Sequence, residues 1–185
     1  MVGKGSGTLF FAAYDRIAAV SYAHRWAYSR NPRFYDYELI GGDCTNFASQ
    51  CLYAGTGIMN DTPTFGWYYR SANDKSPSWT GVTYFYNFLT ENKIRPGPFG
   101  IETNLFGVEI GDFVQLELSN DATFDHTPII VERGEVPDLD NILVAAHSQD
   151  ADFRPLSTYP FTRIRYLHVL GAWYPRQHPE PFSFS

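Results

Sequence analysis

The chain has 185 residues, with 14 Lys plus Arg against 20 Asp plus Glu, two cysteines and 17% aromatic residues. That length supports one domain with a substantial core, and 44% apolar with 18% charged residues is the balance of a globular chain. Two cysteines exclude a disulfide scaffold or a four-thiolate zinc site, and a net charge of −6 without a Lys/Arg run opposes nucleic-acid binding.

In chain order, residues 1–13 read as a flexible leader. Leu9-Phe10-Phe11-Ala12-Ala13 is too short for a membrane span or a signal-peptide core. A first helix is predicted over 14–29, with Ile17, Val20, His24 and Ala27 on one face, ended by Asn31-Pro32. An aromatic turn (Phe34-Tyr35-Asp36-Tyr37) and Gly41-Gly42 follow. A second helix opens at Asp43 as N-cap, with Phe47, Ala48, Cys51 and Leu52 on its apolar face and Gly55 as its stop. Trp67-Tyr68-Tyr69 and Trp79 lie in a loop-rich stretch before a third helix over 80–92. From there the pattern turns to strands, at 113–118, 127–132, 142–147 and 164–172, divided by turn residues such as Gly111-Asp112 and Pro137-Asp138. Helices first and strands after predict an α+β fold with an antiparallel sheet, one domain over 14–175 and a tail over 176–185.

Several catalytic and binding motifs are absent: GxSxG, HExxH, the GxxxxGK[ST] loop, GxGxxG and a complete calcium loop. The cysteines remain. Seven residues apart on one helix, Cys44 and Cys51 stand about 10.5 Å apart, too far for a disulfide. Cys51 falls on the apolar face and reads as a small buried hydrophobe. Cys44 is the first residue after the N-cap, where unpaired N–H groups and the helix dipole favour a thiolate and can hold an oxyanion. A plain turn with a bystander cysteine is the competing reading.

A nucleophilic thiol needs a base. Among five histidines, His24 sits on a packed helix stripe, His168 on a strand surface and His178 in a Pro-rich tail. His126 opens one strand and His147 closes the next, positions from which an imidazole can enter a cleft.

The segments GGDCTNFASQCLYAG, NDTPTFGWYYRSANDKSPSWTGVTYFYNFL, IGDFVQL, DHTPIIVE and ILVAAHSQDADFRPLSTY resemble, in this order, the putative amidase domain family of bacteria. That family is similar to NlpC-type cell-wall peptidases and CHAP amidases, which are papain-like. The resemblance implies a triad in which Cys44 is the nucleophile, His126 the base and His147 the residue that orients it. Gln149 and Asp150 compete for the third place. The oxyanion donor beside the Cys44 N–H is sought among Asp43, Tyr35 and Tyr37. The implied activity is hydrolysis of an amide bond in peptide or peptidoglycan-derived material through an acyl-enzyme, with no cofactor. A thiolate–imidazolium pair would give a bell-shaped pH profile and alkylation of Cys44 below the pH of an ordinary thiol.

Two other readings use the same residues. Trp67, Tyr68 and Trp79 would line an aromatic groove, for substrate or, without catalysis, for a cell-wall sugar or peptide. Cys44, His126 and His147 would make a zinc site. The compartment follows the substrate: the envelope or beyond for a trimmed cell-wall hydrolase domain, the cytoplasm otherwise.

Overall fold

Alternating burial in the second half of the chain gives one sheet two buried faces. The structure is a computed structural model and describes residues 8–176. In chain order the elements are β1 (Leu9–Ala13), α1 (Arg16–Trp26), α2 (Cys44–Thr56), β2 (Tyr69–Ser71), β3 (Asp74–Lys75), α3 (Pro77–Thr80), α4 (Val82–Glu91), β4 (Gly97–Thr103), β5 (Phe113–Glu117), β6 (Ile129–Glu132), β7 (Leu143–Ala146), β8 (Ala151–Pro155) and β9 (Arg163–Pro175). The main sheet is antiparallel and curled, in the order β1-β9-β5-β6-β7-β8. The long β9 carries β4 along one edge, and β5 and then β1 along the other.

Phe113, Ile129, Ala145 and Leu167 fall opposite one another in the register and pack against Phe47, Ala48, Cys51 and Leu52 of α2. Their neighbours Val114, Ile130 and Val144 turn to the other face, where they join Leu116, Ile142, Leu156, Tyr159 and Tyr166. Each such aliphatic side chain contributes about 1.5–3 kcal/mol through burial, so a one-residue slip in register would expose both clusters.

The predicted helices and strands are present with shifted ends, and five further strands, β1 to β4 and β8, lie where none is predicted. Residues 9–13, expected in a flexible leader, form β1: they pair with β9, and Phe10 stacks on Tyr174 at 5.3 Å. The rest of that leader, residues 1–7, and the tail 177–185 with His178 lie outside the described residues. Gly55 does not stop α2. A Cβ there would run into the Tyr14 ring, so Gly55 permits close packing, and the left-handed cap is Gly57 at φ 64°. Among the described residues no helix is long and apolar enough to cross a membrane.

Candidate active site

Cys44 begins α2, and the helix is uncapped by side chains although Asp43 precedes it. The reason is that the buried Asp43 carboxylate is held elsewhere. Its Oδ1 accepts from the Tyr37 N–H (2.9 Å) and the Asn46 side-chain amide (2.8 Å), and its Oδ2 lies 2.6 Å from Nδ1 of His147. The N–H groups of the first helical turn are therefore free of a carboxylate cap.

The thiol rests against the chain on which His126 is mounted. Cys44 Sγ lies 3.8 Å from the Asp125 carbonyl oxygen and 3.7 Å from Thr45 Oγ1. Thr45 Oγ1 in turn lies 3.2 Å from Thr127 Oγ1, which accepts from Gln115 Nε2, so hydroxyls and an amide fix the start of α2 to the sheet. The Asp125 carboxylate holds the approach to His126 by accepting the N–H groups of Leu118 and Ser119.

His126 forms an isolated bridge with Leu116, and its ring lies 5.5 Å from that of Tyr159. It is buried, its Nε2 has no hydrogen-bond partner, and the thiol is not hydrogen-bonded to it. Burial pushes its pKa down to about 4; the Asp125 carboxylate opposes that shift and the Arg154 guanidinium adds to it. Burial also pushes the Cys44 thiol up, against the Thr45 and Thr127 hydrogen bonds that lower it. Both shifts favour a neutral thiol and a neutral imidazole over the expected thiolate–imidazolium pair, because burial at this helix start works against charge on either group.

His147 is not turned toward His126. Its Nδ1 faces Asp43 and its Nε2 lies 2.9 Å from the Trp26 carbonyl oxygen, so neither ring nitrogen is available to another imidazole. Both nitrogens face acceptors, and the ring is stacked on Phe47 at 4.0 Å. His147 thus ties the last turn of α1 to the first turn of α2. Of its competitors, Asp150 forms a two-pronged pair with Arg30, and Gln149 receives Arg154 Nη1 at 3.4 Å.

Two of the three proposed oxyanion groups, the Asp43 N–H and the Tyr37 hydroxyl, have other partners. The Asp43 N–H donates to Ser148 Oγ at 2.7 Å, and the Tyr37 hydroxyl donates to the Ala72 carbonyl at 3.3 Å. Tyr35 is half-exposed and lies against Tyr37. Trp67 and Trp79 are fully buried, which removes them from a groove: their rings pack at 4.8 Å, and their indole N–H groups donate to Ser49 and Asn46. Tyr68 is half-buried beneath Arg70. Among the described residues no cluster of three or more His, Cys, Asp or Glu side chains suits a metal ion.

The other histidines are placed structurally. His24 pairs with Asp152, and His168 with the buried Asp112, which also takes Arg16 at 2.7 Å. Both cysteines are free, as their spacing required, and both are buried, Cys44 as well as Cys51. Two residues beside His126 escaped sequence reasoning, Arg154 and Tyr159. Nothing in their local pattern marks them, because the 3₁₀ turn Leu156–Thr158 brings them together.

Residues 13–170 match the model of the putative amidase domain family. The chain belongs to that family. It is 31% identical over 169 residues to the uncharacterized protein YhbB of Bacillus subtilis, covering 85% of this chain and 50% of the relative. The chain thus spans about half the length of the curated relative it matches. No solved structure matches this amidase-domain chain. Family membership points to hydrolysis of an amide bond in general.

Proposed function

We propose that this amidase-domain protein is a cysteine-dependent amide hydrolase of papain-like arrangement, with Cys44 as nucleophile and His126 as general base. The observation that carries the reading is the position of Cys44 at an uncapped helix start, its thiol against the residue preceding His126. As substrate we propose a cell-wall peptide or a related small peptide, which would put the reaction in the cell envelope.

The chemistry follows from the resting protonation states. The Cys44 thiol attacks the amide carbonyl carbon while its proton passes to the neutral His126 ring, so charge develops only as the bond forms. The first-turn N–H groups of α2 receive the oxyanion. His126 then gives its proton to the leaving amine, breaking the C–N bond and leaving a thioester on Cys44. Water, deprotonated by His126, attacks the thioester and releases the acid and the thiol. Asp43 and His147 act as positioning residues: the carboxylate bound to His147 stays off the helix start. In this reading the catalytic unit is a Cys44–His126 dyad.

Incubation with peptidoglycan stem peptides and simple peptide amides, followed by mass spectrometry of products, tests the activity. The wild type is expected to release amines that Cys44→Ala and His126→Gln do not. Equal release by Cys44→Ala would remove the thiol mechanism.

A further inference from the structure

Beside the dyad stands a cation that, among the described residues, has no carboxylate partner. Arg154 Nε donates to Thr158 Oγ1 at 2.9 Å and Nη2 to the Thr158 carbonyl at 3.0 Å, while Nη1 reaches Gln149 only at 3.4 Å. These bonds fix the guanidinium and leave N–H donors unused on both terminal nitrogens. Among the described residues no carboxylate forms an ion pair with Arg154, although Asp150 and Asp152 lie on the same stretch of chain. Asp150 is bound to Arg30 and Asp152 to His24.

The guanidinium lies over the Tyr159 ring, 3.7 Å from its centre, and that ring also neighbours His126. The buried Tyr159 hydroxyl has no partner at good hydrogen-bond geometry, although Arg154 lies close enough to favour its ionised form, and Nε2 of His126 is buried without a partner. A thiolate formed on Cys44 would be near enough to oppose ionisation of Tyr159. A fixed cation and two orphaned polar groups thus converge beside the nucleophile. An unpaired buried donor is costly, and a ligand that satisfies it recovers that cost. In a chain with a net charge of −6, a carboxylate has little reason to approach except at such a point.

We propose that Arg154, seated on Tyr159, is the specificity-determining residue of the site and binds a free carboxylate of the substrate. The substrate class is then a peptide whose scissile amide stands near a terminal or side-chain carboxylate. The forked guanidinium matches a carboxylate in two-pronged fashion, and the Tyr159 hydroxyl supplies a neutral donor beside it. This rests on the hydrolase reading for the identity of the ligand, though binding itself needs no turnover.

The test is titration of Cys44→Ala protein, followed by NMR, with acetyl-diglycine and with its C-terminal amide, which differ only in the carboxylate. The free acid is expected to bind at least tenfold more tightly. Arg154→Gln in the same background is expected to abolish the difference, and Arg154→Lys to retain part of it through charge without the fork. Thermal melting checks that the variants are folded. Equal binding of acid and amide, no binding of either, or a preference that survives Arg154→Gln overturns the proposal. A carboxylate preference in a protein that hydrolyses no amide sinks the hydrolase reading alone. Hydrolysis with no such preference sinks the Arg154 assignment alone.

Discussion

Nδ1 of His147 lies 2.6 Å from Oδ2 of Asp43, and this contact between residues 104 apart in sequence governs the start of the helix that carries Cys44. Both side chains are almost fully buried. A carboxylate at an N-cap ordinarily turns onto the first-turn N–H groups; here His147 holds it away, and those groups stay open beside the thiol.

Removing His147 should therefore harm both stability and chemistry. His147→Ala leaves the buried Asp43 carboxylate with Arg30 Nε at 3.7 Å as its remaining cation, so the loss should stay below the ~3–5 kcal/mol typical of a wholly unpaired buried charge. Denaturant unfolding measures that loss, and the double variant Asp43→Asn/His147→Ala should lose less than the sum of the two single changes. If the effects simply add, the two side chains are not coupled.

His126 makes stability depend on acid. Its pKa is pushed down to about 4, below its ordinary value, so between those pH values the unfolded chain binds a proton that the folded chain refuses. Stability is retained above pH 6.5 and falls as the pH drops toward 4, by about 3 kcal/mol for this group. His126→Gln should flatten that part of the pH–stability curve. An unchanged slope in the variant would assign the acid sensitivity elsewhere.

Much of the site was legible because it is local. Asp43, the helix pattern after it and the seven-residue spacing of the cysteines place Cys44 at a helix start and keep it unpaired. His126 at the mouth of an apolar strand is equally local. What sequence reasoning missed depends on contacts across the chain. The second histidine goes to Asp43 and the Trp26 carbonyl, neither of which its own strand reveals. Trp67 and Trp79 look like groove residues only while Ser49 and Asn46, the acceptors for their N–H groups, are far away in sequence. β1 was hidden because five apolar residues after a glycine-rich start carry no alternation, and β4 because two glycines and a proline interrupt its strand pattern.

The resting thiol sets the pH of alkylation. Burial raises the Cys44 pKa, so iodoacetamide labelling of the folded protein should have its midpoint above that of an ordinary thiol, with Cys51 reacting only after unfolding. Peptide mapping across a pH series reads this directly. A midpoint below the ordinary value would establish a thiolate in the free protein and a different electrostatic setting for His126.

The most direct test of the Cys44–His126 chemistry needs no natural substrate. Folded protein is treated with p-nitrophenyl acetate, quenched in acid to preserve a thioester, digested and mapped. The acetyl group should appear on Cys44, be absent from Cys44→Ala, and form about 10²–10⁴ times more slowly in His126→Gln, the range a general base supplies. Acetyl on another residue, or equal rates of acylation in the wild type and His126→Gln, would contradict the dyad.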